Sequence, residues 1–357
     1  SRILGYFRDI LIAIFLGTGL IVWSLFTLIT PLAFIGGMVA LVIARVGMGL
    51  GEGITFPAWH SLYARWIPFS ERARSVAVTN SAIPIGTIFG LVVTPLIILS
   101  YGWEWAFYIY GGLGFVWYYF WNRIVESTPK EDKNITNDEL EFIIENAPAN
   151  EKAVSLPFSK WRSNLPLWAI TVAHFCNNYS LFVFLSWLPI FIKDGLGVPM
   201  AAVGFLAMLP HIASFLFLNI GGYFADYLTN KGIRLLTVRK LSNSIAFGGS
   251  GICLCIVPEL ESVAGIIAIM CLGNIFGGFS AGGFIVNHAD IGPNHTGRLM
   301  GITNMIAALP GLIGGVLTGI ILDVTNSWDI VFYVVAGITF FGGIFYLIFA
   351  STDKQFD

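Results

Sequence analysis

Arg45 and Glu52 are opposite charges placed where charge is costly. They belong to RVGMGLGEGITFPAWH, Arg45 to His60, inside an apolar run that begins near Gly36 and ends near Trp66. On a helix, positions three, four and seven apart stack together, so Arg45, Gly49 and Glu52 share one face. Two turns separate the charges, roughly 10 Å at the usual rise per residue. At membrane depth each costs about 2–3 kcal/mol or more unless it faces a partner or a water-filled cavity. The pattern therefore reads as a binding or ion-coupling site. The plainer alternative is a structural ion pair that locks helices together. Gly47, Gly49, Gly51 and Gly53 form a small-residue surface that admits a second helix at close range.

Polar residues recur in later apolar runs. His174, Asn177 and Asn178 cluster in one of them, with His174 and Asn178 four apart on one face. Asn287 either lines a cavity or fixes the end of its helix before Asp290, itself an expected latch residue. For all four, hydrogen bonding to neighbouring helices or backbone is the competing reading. Asn274 and Ser280, set among glycines, read as close-packing residues, and His211, after Pro210, as structural. Two acid–base clusters could latch one conformation at a membrane face. Gly221 to Asp226 ends a helix with small residues and an acid, followed by the bases Lys231, Arg234, Arg239 and Lys240. Ser70 to Arg74 supplies Glu71, Arg72 and Arg74. Pro57, Pro84, Pro189, Pro210 and Pro310 bend helices and offer hinges.

These residues must be positioned by membrane helices. The chain of 357 residues is 56% hydrophobic and 11% charged, with mean hydropathy +0.78; soluble domains carry about 25% charge. Apolar runs of about 20 residues indicate spanning helices and not a barrel. Ten are expected, at about 10–31, 36–60, 74–99, 104–124, 166–192, 199–221, 236–257, 262–287, 298–321 and 328–350. With a cytoplasmic N-terminus, all but two of the 19 basic residues fall on the cytoplasmic side. The exceptions are Lys193 on the far side and Arg45 in the membrane. An even helix count keeps both termini cytoplasmic and argues against a seven-helix receptor. The four cysteines, Cys176, Cys253, Cys255 and Cys271, fall in apolar runs and read as core residues, with no disulfide or metal framework.

The longest polar segment, 126–164, separates an N-terminal half (1–125, four helices) from a C-terminal half (165–351, six helices), with a tail at 352–357. Thr136 followed by Glu139 is a capping-box pattern, opening a short amphipathic helix, TNDELEFIIENA. Transporters are commonly built from two six-helix halves. The four-plus-six division implies that two helices precede Ser1.

GGYFAD, Gly221 to Asp226, resembles the short-loop signature of the major facilitator superfamily. Further residues narrow the likeness to its anion:cation symporter group, which includes sialin, type I sodium–phosphate cotransporters, vesicular glutamate transporters and plant plastid phosphate transporters. They are the GEGITFPAWH core, Trp66-Ile67-Pro68 with Glu71-Arg72, Ala173 to Cys176, Trp187-Leu188-Pro189 and Val238-Arg239-Lys240. The most specific is Asn287 to Pro293, NHADIGP, followed by Gly297, Gly301, Asn304, Pro310 and Gly311. The resemblance spans essentially the whole chain. It implies an all-α membrane protein of the major facilitator fold, with the first two of twelve helices lying before Ser1, and with them the group's anion-binding arginine of the first helix. It implies that Arg45 and Glu52 face a central cavity, the glutamate serving proton coupling and the arginine either anion handling or the glutamate's charge. The vesicular glutamate type carries an arginine at the position matching Asn177, so transport of that kind is not expected.

The expected function is secondary active transport of a small anion, an acidic sugar such as sialic acid or phosphate, coupled to H+ or Na+ by alternating access. An anion channel or uniporter with the same cavity is the rival. No GxxxxGK(S/T) loop is present, so no ATP-driven engine is read, and no enzyme activity, cofactor, metal or nucleic-acid partner is expected. The partners are the small anion and the lipid bilayer, and the expected state is a monomer. The membrane, plasma, lysosomal, vesicular or other organelle, is not specified.

Overall fold

The computed structural model describes residues 12–55, 58, 59, 62, 66, 67, 82–146, 161–292 and 295–356. Among them every regular element is helical. Chain contacts divide the protein into two compact units, residues 1–83 with 94–154 and residues 84–93 with 155–357.

The first unit contains α1 (Ile12–Ile35), α2 (Met38–Gly53), part of α3 (Ala82–Tyr101), α4 (Trp103–Ile124) and the short α5 (Asn137–Asn146). Two tight corners are made by glycines in backbone regions that side chains avoid. Gly37 (φ 88°) joins α1 to α2, and Gly102 (φ 98°) joins α3 to α4. Helix α1 packs against both α2 and α4. A Cβ added at Gly51 would stand 2.6 Å from the Gly19 carbonyl oxygen, and Gly47 lies under the Phe26 ring. Gly49 and Gly53 have open space beside them. The expected four-glycine surface is thus two-sided: every fourth residue meets α1, and those between point away. Thr136 accepts from the Glu139 amide at 3.3 Å, opening α5 as its capping pattern requires.

The second unit contains α6 (Leu165–Ile190), α7 (Met200–Asn230), α8 (Leu235–Ile256), α9 (Val263–Gly278), α10 (Phe284–Ile291), α11 (Thr296–Ala307), α12 (Leu309–Thr325) and α13 (Trp328–Phe349). Helices α6 and α13 run antiparallel through its middle. Cys176 lies against Gly342, and Ser180 bonds Thr339. Their apolar residues feed two core clusters, one around Tyr179, Val183 and Phe332, the other around Ile170, Phe284 and Tyr346. Asn164 caps α6 by accepting from the Leu167 amide at 2.9 Å. Its amide nitrogen donates to Gln355 Oε1 at 3.1 Å. Gln355 and Phe356 both donate their backbone N–H to the Ile291 carbonyl, at 2.7 and 3.1 Å, and Phe356 is buried. The segment after α13 is therefore a strap across the ends of α6 and α10.

Three expectations change. The run 262–287 is broken into α9, a 3₁₀ turn at Phe279–Gly282, and α10. The run 298–321 breaks at Ala308, two residues before Pro310, whose ring cannot continue the α11 ladder. Helix α7 does not stop at 221: Gly221 to Asp226 lies inside it, not in a loop. The reason is packing, because a Cβ at Gly221 would come 2.5 Å from the Gly278 carbonyl oxygen and 2.7 Å from Phe279 Cα. Burial of α7 against α9 outweighs the low helix propensity of paired glycines.

Eight helical stretches among the described residues are long and apolar enough to cross a membrane: 13–35, 38–55, 165–195, 200–230, 235–259, 263–291, 298–325 and 328–349. The described residues of the other two expected spans, 82–99 and 104–124, are helical as well. Ile85–Tyr101 is shorter, and the aromatic and glycine content of α4 dilutes its hydropathy.

Candidate functional site

Arg45 and Glu52 both project from exposed positions of α2. No ion pair joins them among the described residues. The Arg45 guanidinium instead lies 5.5 Å from the centre of the Phe107 ring on α4. Such a contact contributes about 0.5–1 kcal/mol at an exposed site and leaves the donors in the guanidinium plane free. Arg45 lines a cavity of about 530 Å³ within the first unit, together with Trp23, Thr27, Met48, Thr94 and Tyr110. Thr94 and Tyr110 share a hydroxyl–hydroxyl bond of 2.9 Å, which holds α3 to α4 at the wall. The cavity thus offers one unpaired positive charge, hydroxyl groups and an aromatic surface. That donor set suits a small oxyanion. Glu71, Arg72 and Arg74 lie outside the described residues.

In the second unit, Asn177 lines a cavity of about 290 Å³, but His174, Asn178 and Asn287 do not. Asn178 donates to the Ala307 carbonyl at 2.9 Å, where α11 gives way to α12. His174 Nδ1 lies 3.3 Å from Thr303 Oγ1, and the same hydroxyl lies 2.9 Å from His288 Nε2. His288 Nδ1 faces the Ile285 carbonyl at 3.1 Å. A carbonyl only accepts, so Nδ1 carries the proton, and Nε2 of neutral His288 is an acceptor that shares the Thr303 hydroxyl proton with the Met300 carbonyl, 3.1 Å away. His174 then donates to Thr303. One hydroxyl joins α6, α10 and α11. Thr303→Val should leave two imidazole nitrogens unpaired and cost about 1–3 kcal/mol. Thr303→Ser should retain most of the stability, and thermal unfolding in detergent compares the two.

Asn287 is fully buried. With its amide oriented so that every group is satisfied, its oxygen accepts from Tyr346 Oη at 2.8 Å. Its nitrogen donates to Asp290 Oδ2 at 3.2 Å and to the Ser351 carbonyl at 3.0 Å. Asp290 also receives a forked bond from Arg239, Nε to Oδ2 at 2.7 Å and Nη2 to Oδ1 at 3.2 Å. Arg239 Nη1 donates to the Gly282 carbonyl at 3.2 Å. Of the expected latch residues, Arg239 and Asp290 meet. Asp226 is exposed near the end of α7 and makes no ion pair among the described residues. The pair fastens α8 to the broken α9–α10 segment.

His211, Asn274 and Ser280, which the sequence reading assigned to structure or close packing, line the second cavity with Asn177, as do Ser214 and Ser250, which it did not single out. The available signal was spacing. His211 and Ser214 are three apart, and Asn274, Gly277 and Ser280 step by three, but no single helix carries enough of them to mark a face.

A family description, Major Facilitator Superfamily, matches residues 3–315. Similar curated proteins include Probable anion transporter 4, chloroplastic, of Oryza sativa subsp. japonica, 36% identical over 95% of this chain and 57% of its own length. Another is Ascorbate transporter, chloroplastic, of Arabidopsis thaliana, 35% identical over 96% of this chain and 63% of its own. Sialin of Homo sapiens is 34% identical over 95% and 70%. The chain spans less than two thirds of the length of the two plant relatives. A crystal structure of a D-xylose-proton symporter shares the fold, with a TM-score of 0.68 at 14% identity, covering 97% of this chain and 87% of that one.

Proposed function

Because the chain belongs to the major facilitator superfamily, in its anion:cation symporter group, we propose that it carries a small anion across a membrane as a secondary active transporter. The observation that supports this most is Arg45: a guanidinium on a membrane-span helix, held by an aromatic face and unpaired by any acid among the described residues, on the wall of a cavity. A charge kept at that cost has a ligand to neutralise it. The substrate class is an acidic sugar or phosphate. A relative named as an ascorbate transporter supports the acidic sugar first. Glu52, two turns along α2, is the coupling carboxylate: its proton decides which way the cavity opens. The coupling ion is H+, with Na+ as the rival. Arg239 and Asp290 latch one conformation of the second unit.

The test uses the full-length protein in proteoliposomes with an inward acid gradient and labelled sialic acid, gluconate and phosphate. Wild type should accumulate one anion only while the gradient lasts. Arg45→Gln should lower uptake about tenfold or more, the loss of one charged hydrogen-bond donor set. Glu52→Gln should keep exchange and lose accumulation. Equilibration without accumulation would make the protein a uniporter or channel. Accumulation that needs Na+ and ignores Glu52→Gln would remove the proton from the scheme.

A further inference from the structure

One exposed face of α7 ends in a charge that no acid of the protein neutralises. Leu216, Ile220, Tyr223, Tyr227 and Lys231 follow one another by three or four residues, so they form one stripe along the helix. The four before Lys231 are exposed large side chains, on a helix long and apolar enough to cross a membrane. The cover for such a face is lipid. Along the stripe, aliphatic residues give way to two tyrosines and then a lysine. A bilayer passes from hydrocarbon to headgroups in the same order.

The Lys231 ammonium stands 4.5 Å from the centre of the Tyr227 ring. The ring face holds the charge at the end of the stripe and leaves N–H bonds for an outside acceptor. Gly232 (φ 81°) then turns the chain, its N–H donating to the Thr229 carbonyl at 2.9 Å, and Arg234 follows at the start of α8. Lys231 and Arg234 are exposed, and neither makes an ion pair among the described residues. Asp226, the nearest acid in sequence, is five residues before Lys231 and so lies off the stripe. The first unit repeats the arrangement: exposed Leu113, Val116, Tyr119 and Phe120 of α4 lead to Arg123, whose guanidinium is 4.7 Å from the centre of the Tyr119 ring.

A ligand for the α7–α8 corner must present a negative charge at headgroup depth and an apolar body beside it. A zwitterionic headgroup brings its own cation, which competes with Lys231 and Arg234; a headgroup of net negative charge does not. We propose that this corner binds an anionic phospholipid, its phosphate on Lys231 and Arg234 and its acyl chains along Leu216 to Tyr227. The site is independent of what the protein carries.

The test labels the full-length protein, in nanodiscs of phosphatidylcholine, with a trace of photoactivatable phosphatidylglycerol, and maps the adduct by peptide mass spectrometry. Labelling should fall within residues 216–234 and be competed by unlabelled phosphatidylglycerol. Glycerol phosphate in the buffer should not compete. Lys231→Gln should lower labelling about fivefold, the worth of one basic residue at an anionic surface, and Lys231→Gln with Arg234→Gln about thirtyfold. Tyr227→Leu keeps the charge and the apolar stripe but removes the ring under the ammonium, so it too should lower labelling. Thermal unfolding shows whether the variants are folded; if Tyr227→Leu is not, the exposed Lys231→Gln decides. Equal labelling by a photoactivatable phosphatidylcholine, or by the folded variants, overturns the site. Competition by glycerol phosphate overturns it as a lipid site and leaves a site for free phosphate.

Discussion

Gly278→Val should prevent the second unit from holding its fold. A Cβ at Gly278 falls on the Phe217 carbonyl carbon, 2.6 Å from the Phe217 oxygen and 2.7 Å from the Leu218 nitrogen. These are backbone atoms of α7, so no side chain can rotate out of the way. Gly221, on the facing side, is equally confined by Gly278 and Phe279. Relief requires α7 and α9 to separate, and those helices form one of the most extensive contacts of the unit. Overpacking commonly costs about 1–3 kcal/mol and more where backbone must move; here about 3 kcal/mol or more is expected. The readout is the fraction surviving as a monodisperse peak after heating in detergent. Gly222→Ala and Gly301→Ala are the controls, because an added Cβ meets nothing at either position. They should match wild type or gain about 0.5–1 kcal/mol from helix propensity. Wild-type behaviour of Gly278→Val would mean that α7 and α9 do not approach this closely.

The second large effect is expected at the Arg239–Asp290 pair. Both side chains are mostly buried, 12% and 13% exposed. Removing one partner of a buried pair leaves an uncompensated charge and costs about 3–5 kcal/mol. Arg239→Ala and Asp290→Ala should each fall in or just below that range, given their slight exposure. The double variant should recover part of the loss, since neither charge is then stranded. Arg239→Lys should be intermediate, because an ammonium cannot reproduce the forked bond to Asp290 together with the bond to Gly282. Asp290→Ala carries a second penalty, as the Asn287 amide loses an acceptor. Thermal unfolding of the four variants gives the coupling. Single variants as stable as wild type would show that the pair holds nothing.

The helices were readable because membrane depth demands long apolar runs, and the described residues of the ten expected runs are helical apart from the breaks at 279–283 and 308. Arg45 and Glu52 were readable for the same reason: charge is rare in such runs. Their lack of mutual pairing was not, since spacing on α2 fixes a shared face but not where a long flexible side chain turns. The breaks at 279–283 and 308 were hidden because hydropathy continues across them. Gly221 to Asp226 was read as a helix end from composition, while the close fit of Gly221 on α9 is a tertiary fact. Asn178 and His174 were visible as polar, but their partners Ala307 and Thr303 stand 129 residues away in each case. The cavity of the second unit escaped notice because α6, α7, α8 and α9 each lend it only one or two uncharged polar groups.

The strap also governs assembly order. Asn164 caps the start of α6 and bonds Gln355, 191 residues later. Contacts so distant in sequence pay their loop-closure entropy last. During synthesis α6 to α13 can pair in turn, but the floor formed by Ile291, Phe356 and Asn164 closes only after residue 356 has emerged. Until then the Ile291 carbonyl, with the polar end of α10, lacks its partners. Chains stalled before that point should be the ones a membrane quality-control protease recognises.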